Sequence, residues 1–350
     1  MKNIAALPSR FYGENAWKIS ELSYKPHDAT LNATLFALAN GVIGLRGDLD
    51  ESVTHGHGCY LNGIYSSEPI LYGESAYGFA KNNQKIASAP SPLNFVLAFD
   101  GEQVDCSSAG KVMSHKREFG MDDGSLQRET LWRTGDGSSV KISSKRLVSH
   151  KYSSLVAIEY SVESVDFHGE LSLQSGLHAV TAPVTDVDDP RAGTDVNVDD
   201  MEVLLKGCEG NQLHYVQRIC STGFYISVLA NHLVEWNGVS QVSIQSTTIN
   251  AGVACNYSVS MRPGEKLTLT KYVSYTATRD ARDHDLDNLR CELNRLAEFS
   301  FAEHSQLQAA ALADFWKLAD INIDANLPLL QGMRFNLFHL FQSVGRSGKN

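Results

Sequence analysis

Between residues 93 and 275 apolar positions recur in short runs, many of them on every second residue. Val156, Ile158, Tyr160 and Val162 alternate cleanly with their neighbours, and so do Leu171 and Leu173. Val140, Ile142 and Val148 share one parity. A period of two places one face of a strand on a core and the other on solvent or a second layer. The run 93–99 follows Pro90 and Pro92 and ends at Asp100-Gly101, a hairpin signal; the run 126–132 closes at Gly135-Asp136-Gly137. Further runs cover 213–219, 224–229, 239–249, 254–261 and 267–275. Many strands joined by turn residues, with few helices between them, predict a mainly β fold: a large antiparallel β-sandwich.

After residue 275 the period changes. Residues 278–287 are charged and read as a linker. Leu286, Leu289, Leu293, Leu296 and Ala297 then recur at helical spacing. A second helix over 305–318 carries Leu307, Ala311, Phe315 and Leu318 on one face. Residues 320–324 read as a short extended link. In the last helix Asn326 is the expected N-cap, Pro328 sits in the first turn and Gly345 is the stop. Its apolar positions, from Leu329 to Val344, go nearly all the way round, so it should be buried on most sides. It is too short to span a bilayer and carries Arg334, Asn336 and His339. Two readings compete: the helix wedges between the sandwich and the linker helices, or its proper neighbours lie outside the chain. The second is favoured, and gives a sandwich over 1–276, a helical linker over 277–325 and the incomplete start of a second, helical domain over 326–350.

Charge narrows the partners. With 30 basic and 40 acidic residues the formal net charge is −10, which opposes nucleic acid and anionic lipid. Cys59, Cys106, Cys208, Cys220, Cys255 and Cys291 are scattered with no C-x-x-C pair, so buried free thiols are expected rather than a metal site or a disulfide framework. The N-terminal apolar stretch is too short for a signal peptide, and a cytoplasmic location is expected. His55-Gly56-His57 lacks a third ligand nearby. The Asp-rich loop 186–200 lacks the glycine and closing glutamate of a calcium loop. No metal and no organic cofactor is expected.

Residues 35–79 interleave glycines, aromatics and carboxylates. Tyrosines there could stack on the apolar face of a pyranose, or pack the sandwich edge while glycines permit tight turns; packing is the favoured reading. Asp48, Asp50, Glu51, Glu68 and Glu74 are the carboxylates in reach of an acid–base role, although solvated surface groups are the commoner case.

An ordered set of motifs runs over nearly the whole chain. It comprises Ala37-Leu38-Ala39-Asn40-Gly41-Val42-Ile43-Gly44-Leu45-Arg46-Gly47-Asp48, Tyr60-Leu61-Asn62-Gly63-Ile64-Tyr65, Tyr72-Gly73-Glu74 and Asp188-Asp189-Pro190-Arg191. Phe315-Trp316, Ala319-Asp320-Ile321 and Arg334-Phe335-Asn336-Leu337-Phe338-His339-Leu340 complete it. Together these resemble glycoside hydrolase family 65, the maltose, trehalose and kojibiose phosphorylases and their hydrolytic relatives.

The resemblance implies an N-terminal sandwich, a helical linker and an (α/α)6 barrel. It implies inverting cleavage of an α-linked glucose disaccharide, with inorganic phosphate as co-substrate and a glutamic acid as proton donor. In the family that glutamate lies in the barrel, as does a Trp-Asp-Thr-Glu substrate segment, which is not found in this sequence. The 334–340 stretch matches the first barrel helix. The expectation is therefore an N-terminal portion that is inactive alone, with no catalytic residue of its own. Arg334, Asn336 and His339 are the candidates for substrate binding or structural support. A homodimer is expected by resemblance. Alternatives are a non-catalytic carbohydrate-binding or assembly module, and one half of a split glycosidase whose barrel is a separate chain.

Overall fold

A computed structural model describes residues 15–51, 58–70, 76–105, 111–179, 200–249, 252–280, 286–321 and 327–345. Among them, strands form three antiparallel sheets. The largest runs in the order Lys18–Glu21, Val112–Gly120, Ser125–Arg133, Ser139–Val148, Leu155–Ser164, Lys266–Thr278, Phe224–Trp236, Gln212–Ile219 and Met201–Glu209. A second has the order Ser243–Ile249, Gly252–Met261, Gly169–His178, Phe95–Phe99 and Glu102–Gln103. A third, Leu38–Ala39, Ile43–Leu45, Cys59–Pro69 and Asn82–Ser88, shares the same core. Helices are α1 (Ala29–Leu35), α2 (Leu286–Leu296), α3 (Phe301–Ala319) and α4 (Leu327–Ser343). None of the described helices is long and apolar enough to cross a membrane.

The expected strands are present, although the run 239–249 is a strand only over Ser243–Ile249, and Val112–Gly120, which alternation does not mark, sits among them. Its inward side chains include His115 and Arg117, both buried. A strand whose inner face is ionic reads as surface in a sequence. The strand Leu155–Ser164 is buried on both faces because α2 lays Leu289, Leu293 and Leu296 over Leu155, Ala157, Leu229 and Tyr272. This second core covers a sheet face that alternation alone would leave to solvent.

Helix α3 begins earlier than its apolar spacing suggests. Ser300 and Glu303 form a reciprocal capping box that satisfies the first-turn N–H groups. Its buried line is Phe301, His304, Gln308, Leu312 and Trp316, while Leu318 is 92% exposed. The face expected from Leu307, Ala311, Phe315 and Leu318 is thus rotated, because two polar residues, His304 and Gln308, occupy core positions and bond to backbone carbonyls. The described cysteines are free thiols, but Cys220 and Cys291 are exposed rather than buried. Cys106, His55, His57, Tyr72, Glu74, the 186–199 loop and Asn326 lie outside the described residues.

Candidate functional site

Helix α4 docks on the sandwich by a stripe at helical spacing: Gln331, Arg334, Phe338 and Gln342. Three of these four buried residues are polar. Gln331 Nε2 donates to Lys18 O at 2.5 Å. Arg334 donates from Nε and Nη2 to the two carboxylate oxygens of Asp320, at 2.8 and 2.9 Å, and its guanidinium lies 3.7 Å from the Trp17 ring centre. A bidentate, stacked guanidinium of this kind fixes orientation as well as energy. Phe338 meets Phe119 edge-on at 5.1 Å. The opposite side is open: Leu329, Leu340 and, just past the helix end, Val344 are 53%, 65% and 58% exposed, with exposed Asn336 among them. Phe335, Leu337 and Phe341 also pack, partly buried, against the core, and Phe341 stacks on Phe315 of α3 at 3.8 Å, so α4 lies against both the sandwich and α3 and stays open along its remaining side.

The end of α4 rests on the turn after Leu38–Ala39. Gly41 has φ +84°, and a Cβ there would lie 2.0 Å from Val344 O, so only glycine permits this approach. Asn40 is buried and organises the turn. Its Oδ1 accepts from Val42 and Ile43 N–H at 3.0 and 2.8 Å, and its Nδ2 donates to Ser149 O at 2.7 Å. Beside this junction lies an open cleft of about 180 Å³, lined by Val42, Ile43, Tyr60, Asn62, Gln342 and Ser343 among others.

The segment 46–51 continues from this hairpin into the sandwich. There it meets a row of side chains that the sheet register sets side by side: Arg117, Arg128, Ser144 and Tyr160. Glu51 binds Arg128 through both oxygens and accepts from Tyr160 OH at 2.5 Å. Asp50 accepts from Ser144 Oγ at 2.6 Å and from Arg146 at 3.4 Å. Burial pushes the Asp50 carboxyl up, but Arg146 and Arg128 outweigh it and hold the group below the usual carboxylate range. Glu21 is likewise raised by burial and lowered more by His115 and Arg117, the latter at 2.9 Å. Elsewhere in the same sheet Lys271 is wholly buried and donates to Pro92 O and Gly176 O at 2.8 and 2.6 Å; burial pulls it down to about 7.

These contacts place the candidates drawn from the sequence. Asp50 and Glu51 are neither solvated nor open to substrate; they neutralise buried guanidiniums. Glu68 lies 3.5 Å from Lys85. Arg334 is engaged with Asp320 and Trp17, and Asn336 is exposed on the outer side of α4. His339 is half-buried against Phe335, with ring centres 4.1 Å apart, and burial pulls it down to about 4, so it is neutral at pH 7. None of the three lines the cleft. Among the described residues no group of His, Cys, Asp or Glu is arranged to hold a metal ion. Gln308, Gln331 and Gln342, which fasten α3 and α4 to sandwich backbone, are not among the sequence candidates. For Gln331 and Gln342 the signal that could have found them is the stripe Gln331, Arg334, Gln342, a polar line through an apolar run.

Residues 19–315 match the family model described as glycosyl hydrolase family 65, N-terminal domain. The chain is 31% identical over 340 residues to an alpha,alpha-trehalose phosphorylase of Thermoanaerobacter brockii, covering 95% of this chain and 43% of that protein. It is 25% identical over 342 residues to the maltose phosphorylase of Bacillus subtilis, again covering 95% of this chain and 43% of that one. A solved structure assigned as a kojibiose phosphorylase from the human microbiome superposes with a TM-score of 0.81 at 21% identity, over 96% of this chain and 43% of the other. The fold is therefore shared, and the chain spans less than half the length of these relatives.

Proposed function

The chain belongs to glycosyl hydrolase family 65, and from that premise we propose that it is the non-catalytic N-terminal part of an inverting α-glucoside phosphorylase. In this reading the sandwich is a rigid body that carries α4, and α4 is the first helix of a helical catalytic domain. The observation that carries it is the apolar strip that α4 leaves exposed. A helix that fastens to its sandwich through Gln331, Arg334, Phe338 and Gln342, and leaves Leu329, Leu340 and the adjoining Val344 exposed, offers an apolar strip for a second body to cover. Leu318, at the end of α3, adds a further exposed apolar side chain.

The carboxylates nearest the cleft-forming hairpin support a division of labour. Asp50 and Glu51 are buried against arginines, out of reach of a substrate, which supports placing the proton donor and the phosphate site in the helical domain. The substrate of the whole enzyme is an α-linked glucose disaccharide, with inorganic phosphate as co-substrate and β-glucose 1-phosphate as product. The enzyme acts in the cytoplasm as a homodimer, and no metal or organic cofactor takes part.

Incubating the 350-residue chain with phosphate and maltose, trehalose or kojibiose tests this. No β-glucose 1-phosphate is expected from the chain alone, and formation from one of them by the whole enzyme. Turnover by the isolated chain would overturn the assignment of chemistry to the helical domain.

A further inference from the structure

The side-chain amide of Gln342 makes three contacts at once. Its Oε1 accepts from Ala39 N–H at 2.8 Å, and its Nε2 donates to Ala37 O at 3.2 Å. Those groups flank Leu38 on the free edge of the third sheet, because the other edge of Leu38–Ala39 pairs with Ile43–Leu45. An amide that bridges a carbonyl and the N–H two residues on stands where one residue of a parallel neighbouring strand would stand. It closes an edge that would otherwise present unpaired backbone groups.

The third contact is to His339 Nδ1, 2.8 Å from Gln342 Nε2. The orientation of the amide follows from the strand. Turning it over would set Oε1 against Ala37 O and Nε2 against Ala39 N–H, and both bonds would become repulsions. Nε2 is therefore the atom facing the imidazole, and it can only donate. His339 Nδ1 must carry its lone pair, which puts the ring proton on Nε2. That Nε2 is buried and has no hydrogen-bond partner among the described residues, while the rings of Phe335, Phe119 and Phe338 surround the imidazole. Gly41, pressed on Val344 O, removes the remaining freedom at the same helix end.

We propose that Gln342 is a positioning residue: its amide caps the edge of Leu38–Ala39, pins the last turn of α4 to the sandwich and locks His339 in the Nε2–H tautomer. This rests on the reading that α4 leads into the catalytic domain, for the pose of its last turn then sets the pose of that domain on the sandwich. Gln342 acts through backbone and His339, which occupy its amide.

The tautomer is read directly in the ¹⁵N-histidine-labelled 350-residue chain by two-bond ¹H–¹⁵N spectra at pH 7, the His339 signals being identified by their loss in His339→Gln. A single Nε2–H tautomer is expected. Gln342→Glu replaces the donor with an acceptor and should draw a proton onto Nδ1. Gln342→Met, of similar length, should leave a mixture of tautomers. An unchanged Nε2–H pattern in both variants overturns the lock. In the whole enzyme, Gln342→Met should lower kcat for disaccharide phosphorolysis about tenfold with KM within about twofold, because reacting groups are misplaced and no substrate contact is removed. Equal kcat overturns the positioning role. If the wild-type enzyme shows no phosphorolysis, the family-based activity fails, and the tautomer spectra still decide the latch.

Discussion

Replacing Arg128 by Met is expected to destabilise the chain by about 3–5 kcal/mol, the usual loss when one member of a buried ion pair is removed. The Arg128 side chain is 2% exposed; Nη1 lies 2.7 Å from Glu51 Oε2, and Nη2 lies 3.4 Å from Asp50. The surrounding network sets Glu21, Asp50 and Glu51 against Arg117, Arg128 and Arg146. Removing one guanidinium leaves the carboxylates in excess by one in a buried place. Methionine occupies much of the arginine stem's volume, so little of the loss comes from a cavity. Urea unfolding followed by far-UV circular dichroism at pH 7 measures it. The double variant Arg128→Met/Glu51→Gln restores the charge balance and should recover at least about half of the loss, a coupling expected only of groups in contact. A single variant within about 1 kcal/mol of wild type, or a double variant less stable than the single, would refute this account of the network.

Lys271 gives a pH dependence of definite sign. Its pKa falls from 10.5 to about 7 on burial, so between those values the unfolded chain binds a proton that the folded chain does not. Stability should rise with pH across that window and level off below it, and Lys271→Met should flatten the rise in a plot of Tm against pH. Gly41→Ala combines positive φ with a clash at Val344 O and should speed amide hydrogen exchange in the last turn of α4 while leaving the strands Leu155–Ser164 and Lys266–Thr278 protected. Arg334→Lys keeps the charge but loses the fork and the stacking on Trp17. A loss of about 1–2 kcal/mol in denaturant unfolding and a changed tryptophan emission are expected. Leu340→Lys should leave the isolated chain's stability within about 0.5 kcal/mol, since the side chain is 65% exposed, yet impair the whole enzyme.

Periodicity by itself determined the mainly β class, the position of most strands and the change to helices after residue 275. Those features rest on the local spacing of apolar side chains, which is a property of the chain alone. It also marked α4 as a helix with more apolar surface than its own domain covers. It could not determine which polar residues are buried. Arg117, Arg128 and Arg146 come from three different strands, and Asp50 and Glu51 from a distant loop; only the sheet register brings opposite charges within reach of each other. The same holds for Gln308, Gln331 and Gln342, whose amides satisfy backbone groups distant in sequence. A buried polar group is stable only when a partner meets it, and that partner is chosen by tertiary contact. So the sequence named α4 as a helix rich in apolar positions, and the tertiary structure decided which of its faces meets the sandwich.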